Sequence, residues 1–209
     1  MQKNKKILLL AACFALLVIL PIYLMSGTAA APDDYTQSFQ DPFTNYDRVI
    51  EVNASLVTPI ATNAWNWANG DNTVLTLDWT QGDNTAKVKG IKPGVSTISI
   101  GTTIGQVLTM RYKVVDSSNI KSYTVAGGLE GRIAKKSETL TIPITATDNK
   151  GNAAADSKIA WKSLNSAVAS VSGKTITAQA DNGAAIILGT FFDPWGLEHT
   201  IPYLIIIGN

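Results

Sequence analysis

Cysteine and histidine are almost missing from this chain of 209 residues, which has one of each, Cys13 and His199. Cys13 lies in an apolar leader, so the body of the protein has no thiol. That excludes disulfide stapling, thiol catalysis, redox chemistry and cysteine-ligated zinc. A single imidazole leaves no histidine-based metal site and no plausible Ser-His-Asp set. Charge is scarce as well, at 16% of residues. Three of the 17 Lys and Arg residues (Lys3, Lys5, Lys6) fall in the leader, so the body has 14 positive groups against 16 negative. No stretch concentrates Lys or Arg with aromatics, which argues against nucleic acid as a partner. Apolar residues make up 45% of the chain, too many for a disordered tail. No helical period is found beyond the leader.

The leader itself is clear. Met1–Lys6 is basic, residues 7–25 are almost entirely apolar, and Ser26-Gly27-Thr28-Ala29-Ala30-Ala31 follows. This order reads as a secretory signal, with Thr28 and Ala30 at the small-residue positions before a cut. The apolar run is also long enough to span a bilayer as an uncleaved anchor helix. Both readings place the body outside the cytoplasm and give it no membrane contact except through residues 1–31. Leu10-Ala11-Ala12-Cys13 matches a lipidation motif by letters. However, few apolar residues precede Cys13 and a long apolar run follows it, so it reads as a small apolar leader residue.

Beyond residue 48 the chain reads as short strands rich in Val, Ile and Thr, among them Val74–Leu77, Thr97–Ile100, Leu140–Ile144 and Lys174–Thr177. Turn formers separate them: Asn69-Gly70, Asp83-Asn84, Lys92-Pro93-Gly94 and Asp181-Asn182-Gly183. Many short strands punctuated this way predict a sandwich or barrel. The pattern then repeats. Trp67, Val74 and Leu77 recur as Trp161, Val168 and Val171, 94 residues later. Val88 recurs as Ile176, Gly94 and Ile98 as Gly183 and Ile187, and Thr109–Tyr112 as Thr200–Tyr203. The expected organisation is therefore a signal peptide or anchor over 1–31, an extended segment over 32–48, and domains over 49–116 and 121–209. The polar cluster Asp116-Ser117-Ser118-Asn119 is expected to be a cleavable boundary between the two domains.

The second copy resembles a bacterial immunoglobulin-like domain of group 2, the kind strung together in intimin- and invasin-like surface proteins. The resemblance rests on residues 144–152, on Ile159-Ala160-Trp161-Lys162-Ser163, and on the run from Val168 to Ala178. The first copy matches best over Ala86–Ile100. The resemblance implies an all-β fold of two tandem immunoglobulin-like β-sandwiches. It also implies a surface module with an adhesion, spacer or assembly role, and it brings no catalytic residues.

Individual residues follow from that frame. Trp161 opens a strand and is expected between the two sheets, with Trp67 or Trp65 in that place in the first copy. Trp65 and Trp67 are two apart, so on a regular strand both would face the same side. Val88, Ile98, Ile176 and Ile187 complete the expected core. Gly94 and Gly183 precede buried strands, where a turn needing positive φ favours glycine. Asp148-Asn149-Lys150-Gly151-Asn152 has turn chemistry without the spacing of a calcium loop, and no metal or cofactor is expected. Asn53-Ala54-Ser55 fits a glycosylation sequon, a weak signal in a Ser- and Thr-rich chain. No convergent acids, base or nucleophile mark an enzyme. The candidate ligand contacts are Trp195, Phe192 and Trp79. Trp195 and Trp79 lie in or near loops, where an exposed aromatic face could take a glycan ring or a protein partner. For Trp195, in Asp193-Pro194-Trp195-Gly196, the turn makes burial beneath the sheets hard to arrange, and the other reading is that it folds back to cover the domain's end or the boundary with the first domain. Three functions stay open: an adhesion or spacer module, a carbohydrate-binding module, and a fibre subunit in which Asp33–Asp47 pairs with another copy by strand addition.

Overall fold

Alternation of period two, with branched side chains on one face, commits this chain to strands that must bury that face. The computed structural model describes residues 33–59, 64–81 and 83–208. The leader, Cys13 and the signal-or-anchor helix lie outside these residues. Residues 33–209 form one compact unit. Its strands are β1 (Tyr35–Ser38), β2 (Arg48–Glu51), β3 (Ser55–Pro59), β4 (Ala64–Asn69), β5 (Leu75–Asp78), β6 (Thr85–Gly90), β7 (Gly94–Thr102) and β8 (Val107–Val115). They continue with β9 (Ile120–Val125), β10 (Glu130–Ile133), β11 (Thr139–Thr141), β12 (Ile144–Asp148), β13 (Ala160–Ser163), β14 (Ala169–Ser172), β15 (Thr175–Ala178), β16 (Gly183–Phe192) and β17 (Glu198–Ile207). Among the described residues no helix is long and apolar enough to cross a membrane.

The chain forms two immunoglobulin-like β-sandwiches. In the first, the four-stranded sheet β2-β8-β7-β4 faces the three-stranded sheet β3-β6-β5. In the second, β10-β17-β16-β13 faces β11-β15-β14 and β1-β9-β12. In both, a short strand runs parallel to the last strand, β2 with β8 and β10 with β17, and the other named strands pair antiparallel. Each sandwich has its own core. Trp67, Val88, Ile98 and Tyr112 belong to the first, and Ile176, Ile187, Phe191 and Tyr203 to the second. Trp161 is half-buried and packs on the second core from β13. The repeated glycines sit at equivalent places. Gly94 (φ 149°) and Gly183 (φ 134°) open β7 and β16, and a Cβ on either would press on Val74 or Val168 of the same repeat. Positive φ and tight contact together require glycine there.

Two expectations change. Trp65 and Trp67 do not face the same side, because the pairing of β4 with β7 shifts register between Ala64 and Asn66. This bulge turns Trp65 out to 56% exposure while Trp67 stays 4% exposed in the core. The extended segment, described from residue 33, also gains a partner strand. Its β1 pairs antiparallel with β9 of the second sandwich, Tyr35 opposite Val125 and Ser38 opposite Ser122.

The topology sets the sandwiches end to end. β8 runs away from the Thr103–Gln106 turn and delivers the chain to residues 116–119. β17 runs away from the 193–197 turn toward residue 207, and the two meeting ends carry Pro93 and Gly196.

Candidate functional site

The junction between the sandwiches centres on the Asp193–His199 turn. Asp193 is 1% exposed, and a buried carboxylate must find donors. It finds three. Trp195 N and Leu197 N donate to Oδ1, and His199 Nε2 donates to Oδ2, each at 2.9 Å. The turn closes with Gly196 N donating to Asp193 O at 3.0 Å. These bonds fix Trp195 inward. It is 6% exposed, belongs to neither sandwich core, and has Lys121 Nζ 4.1 Å from its ring centroid. Trp195 is therefore not the exposed ligand contact of one reading but fits the other, in which the ring folds back over the boundary between the domains: the buried carboxylate organises the turn so that the ring plugs the junction.

The linker is pinned by side chains rather than left free. Asp116 N donates to Pro194 O at 2.9 Å, and Asn119 Nδ2 donates to Asp193 O at 3.2 Å. Ser117 is buried, donates through N and Oγ to the Glu51 carboxylate, and accepts from Asn149 N through its carbonyl. Lys158 donates to Ser118 Oγ and Asn119 Oδ1, both at 2.9 Å. The polar cluster at 116–119 is therefore a clamp whose polar groups are consumed by both sandwiches, where a cleavable boundary was expected.

The N-terminal segment 33–47 straps the two sandwiches together. On the second, the Phe39 ring lies 3.9 Å from His199, 5.6 Å from Phe191 and 6.2 Å from Tyr123. Lys121 donates to the Phe39 carbonyl. On the first, Asp41 pairs with Lys113, whose Nζ lies 3.6 Å from the centroid of Tyr46. Burial opposes the Lys113 charge, but the hydrogen bonds and charges of Asp41 and Tyr46 outweigh it and hold the ammonium above its ordinary value. Asp47 completes the strap by exchanging bonds with the Arg111 backbone. Burial likewise pushes the Tyr123 hydroxyl up, with Tyr35 adding to the effect.

Beside the plug is a crevice of about 530 Å³ lined by Lys92, Pro93, Asp116, Asn119, Phe192 and Gly196. Phe192 is 51% exposed there. Trp79 is partly buried against the first core, beyond the Asp78 end of β5, away from the junction. The three candidate contacts thus do not form one site. The strap and clamp residues Phe39, Asp41, Lys113, Lys121 and Lys158 were missed from sequence. The sequence signal was slight: Tyr35 and Phe39 fall on one face of Tyr35-Thr36-Gln37-Ser38-Phe39, with polar Gln37 between them. Among the described residues no group of three His, Cys, Asp or Glu side chains could hold a metal ion.

No protein-family model and no curated protein sequence matches the chain. Solved structures similar to it include domains 5–6 of the S-layer protein SbsC, at 15% identity and TM-score 0.28, over 85% of this chain and 100% of that one. Another is a C-terminal fragment of intimin bound to the intimin-binding domain of its translocated receptor, at 19% identity and TM-score 0.29, over 84% and 57%. A third is cadherin domains 1–4 of protocadherin gamma B7, at 15% identity and TM-score 0.31, over 84% and 51%.

Proposed function

We propose that this chain is an exported, non-enzymatic surface module of the group 2 immunoglobulin-like kind, acting as a stiff two-domain spacer or adhesion unit outside the cell. The observation that supports this reading is the junction. A buried Trp, a buried carboxylate, a clamped linker and a strap crossing both sandwiches hold the two domains as one body. Such a joint transmits position, which a spacer needs, and leaves no mobile hinge of the sort a closing enzyme uses. The test is residual dipolar couplings on the exported protein: one alignment tensor should fit both sandwiches. Two different tensors would sink the spacer reading. The export premise is checked separately, by intact mass showing loss of about 30 residues or by fractionation with membranes.

A second reading, carbohydrate binding, has its own support in the junction crevice. There an exposed aromatic face, Phe192, stands in a crevice also lined by Lys92. A glycan array probed with the parent protein and a Phe192→Ala variant decides it. Binding lost in the variant supports this reading, and no binding by the parent overturns it. Fibre assembly by strand addition is the least favoured, because β1 would first have to leave β9 of its own chain.

A further inference from the structure

One polar strip of the first sandwich lies outside the core, the junction and the strap. Of all the asparagines in the chain, only Asn53 stands in the acceptor pattern Asn-x-Ser/Thr, as Asn53-Ala54-Ser55. A transferase must reach the amide and the hydroxyl together, and the local fold presents both. Val52, Ala54 and Leu56 pack against the first core, so the alternate residues Asn53 and Ser55 are left exposed. Ala54 N donates to Glu51 O at 3.0 Å, closing a tight turn, and Asn53 N donates to Gly90 O at 2.9 Å. Asn53 holds φ at 66°, a left-handed conformation that asparagine accepts more readily than most residues. Its side-chain amide is left over. Among the described residues Asn69, Asn84, Asn119 and Asn152 are bonded into the fold through their side chains, while Asn53 is bonded through its backbone alone. Asn53 and Ser55 open onto a polar groove of about 320 Å³ on the outer face of β3-β6-β5. Its other walls are Thr76, Asp78, Lys87 and Lys89, all exposed, with Lys89 paired between Ser55 and Thr76. Hydroxyl, carboxylate and ammonium groups in one open trough offer both donors and acceptors to sugar hydroxyls.

We propose that Asn53 is an N-glycosylation site and that the attached sugars lie along this groove. Export is a premise here, because the sugar donor, an oligosaccharide on a lipid pyrophosphate, meets the chain only outside the cytoplasm. The transfer breaks the bond from the sugar's anomeric carbon to the pyrophosphate oxygen and forms one from that carbon to Asn53 Nδ2. The lipid pyrophosphate leaves with the electron pair, and one Nδ2 proton passes to a base on the transferase. No oxidant or reductant enters. A glycan seated there also covers Val57, which is 59% exposed two residues beyond Ser55 on the same face of β3. An asparagine kept only for its left-handed turn would have no need of the Ser55 hydroxyl, and this separates the two roles.

The test is intact mass on the full chain purified from its native host. The parent should weigh more than its polypeptide by one or more whole sugar residues, and fragmentation should place them on Asn53. Asn53→Gly, which keeps the turn, and Ser55→Ala should each lose all of the added mass, while Ser55→Thr should keep it. Thermal melting of each variant shows that it is folded. Acetylation of Lys87 and Lys89 should be several-fold slower in the parent than in Asn53→Gly, and equal rates overturn the placement along the groove. Exported protein without added mass, or added mass that survives Ser55→Ala or is lost in Ser55→Thr, overturns the glycosylation site while export stands. A full-length protein kept in the cytoplasm overturns both.

Discussion

Replacing Trp195 with alanine should do far more than a surface substitution. The ring is 6% exposed, sits outside both cores and is capped by the Lys121 ammonium. Truncating a buried Trp costs about 3–5 kcal/mol through lost transfer energy and the cavity left behind. The lost cation–π contact adds about 0.5–1 kcal/mol, within the spread of that range. In a folded unit of this size each kcal/mol moves the melting temperature by about 2–4 °C, so a drop of about 6–20 °C is expected. Calorimetry on the purified protein reads it directly. The shape of the transition matters as much as its position. With the plug gone, a single transition should split into two, because each sandwich keeps its own core while their coupling is lost. A change under about 1 kcal/mol, as an exposed position would give, refutes the plug.

The second sandwich makes a matching claim about Trp161. A Cβ on Gly189 would stand 2.6 Å from its ring, so Gly189→Ala should destabilise by about 1–3 kcal/mol from overpacking, read as a lower urea midpoint with unchanged slope; an unchanged midpoint would refute the close contact. Trp161→Ala should cost about 3 kcal/mol, at the low end for a Trp because the ring is only half-buried; an unmoved melting temperature would mark it as exposed. Both Lys113 and Tyr123 have folded pKa values raised above their unfolded values of 10.5 and 10.0. Their stabilisation is therefore complete below about pH 10 and lost as pH rises past it, so urea midpoints should fall there, and less steeply in Lys113→Met. Mild proteolysis should spare residues 116–119 and cut the exposed turn at Thr103–Gln106 first; early cutting at 116–119 would show that the clamp opens.

The fold was legible because the repeat and the period-two alternation carry the same message twice. Gly94 with Gly183 and Ile98 with Ile187 occupy matched places in two sandwiches. What sequence reasoning missed depends on contacts distant in the chain. The bulge that turns Trp65 outward is a shift in pairing with β7, which leaves no mark in Ala64-Trp65-Asn66. Trp195 was placed in a turn correctly, but its burial is decided by Asp193, whose three donors become visible only once the turn is folded. The strap was hardest. Two aromatics on one face of Tyr35–Phe39, with three polar residues between them, do not separate a strand from a loop, and the partner strand β9 lies about 85 residues away in sequence. The apolar run Tyr203–Ile207 was read as a strand, and register was needed to show that Tyr203, Ile205 and Ile207 face the core while Leu204 and Ile206 stay half-buried on the other face.

The strap also decides how the molecule would meet force. β1 runs toward the junction alongside β9, with Asp34 Oδ1 accepting from Gly127 N at its outer end. Tension on the chain ahead of Asp33 is taken first by the second sandwich, although the first comes earlier in sequence. Against a load borne by the far end of the first sandwich, it pulls β1 lengthwise along β9, so the four ladder pairs are loaded in shear and must slip together, instead of peeling apart one by one. Behind them Phe39 and then Asp41 stand in series, each holding a different sandwich.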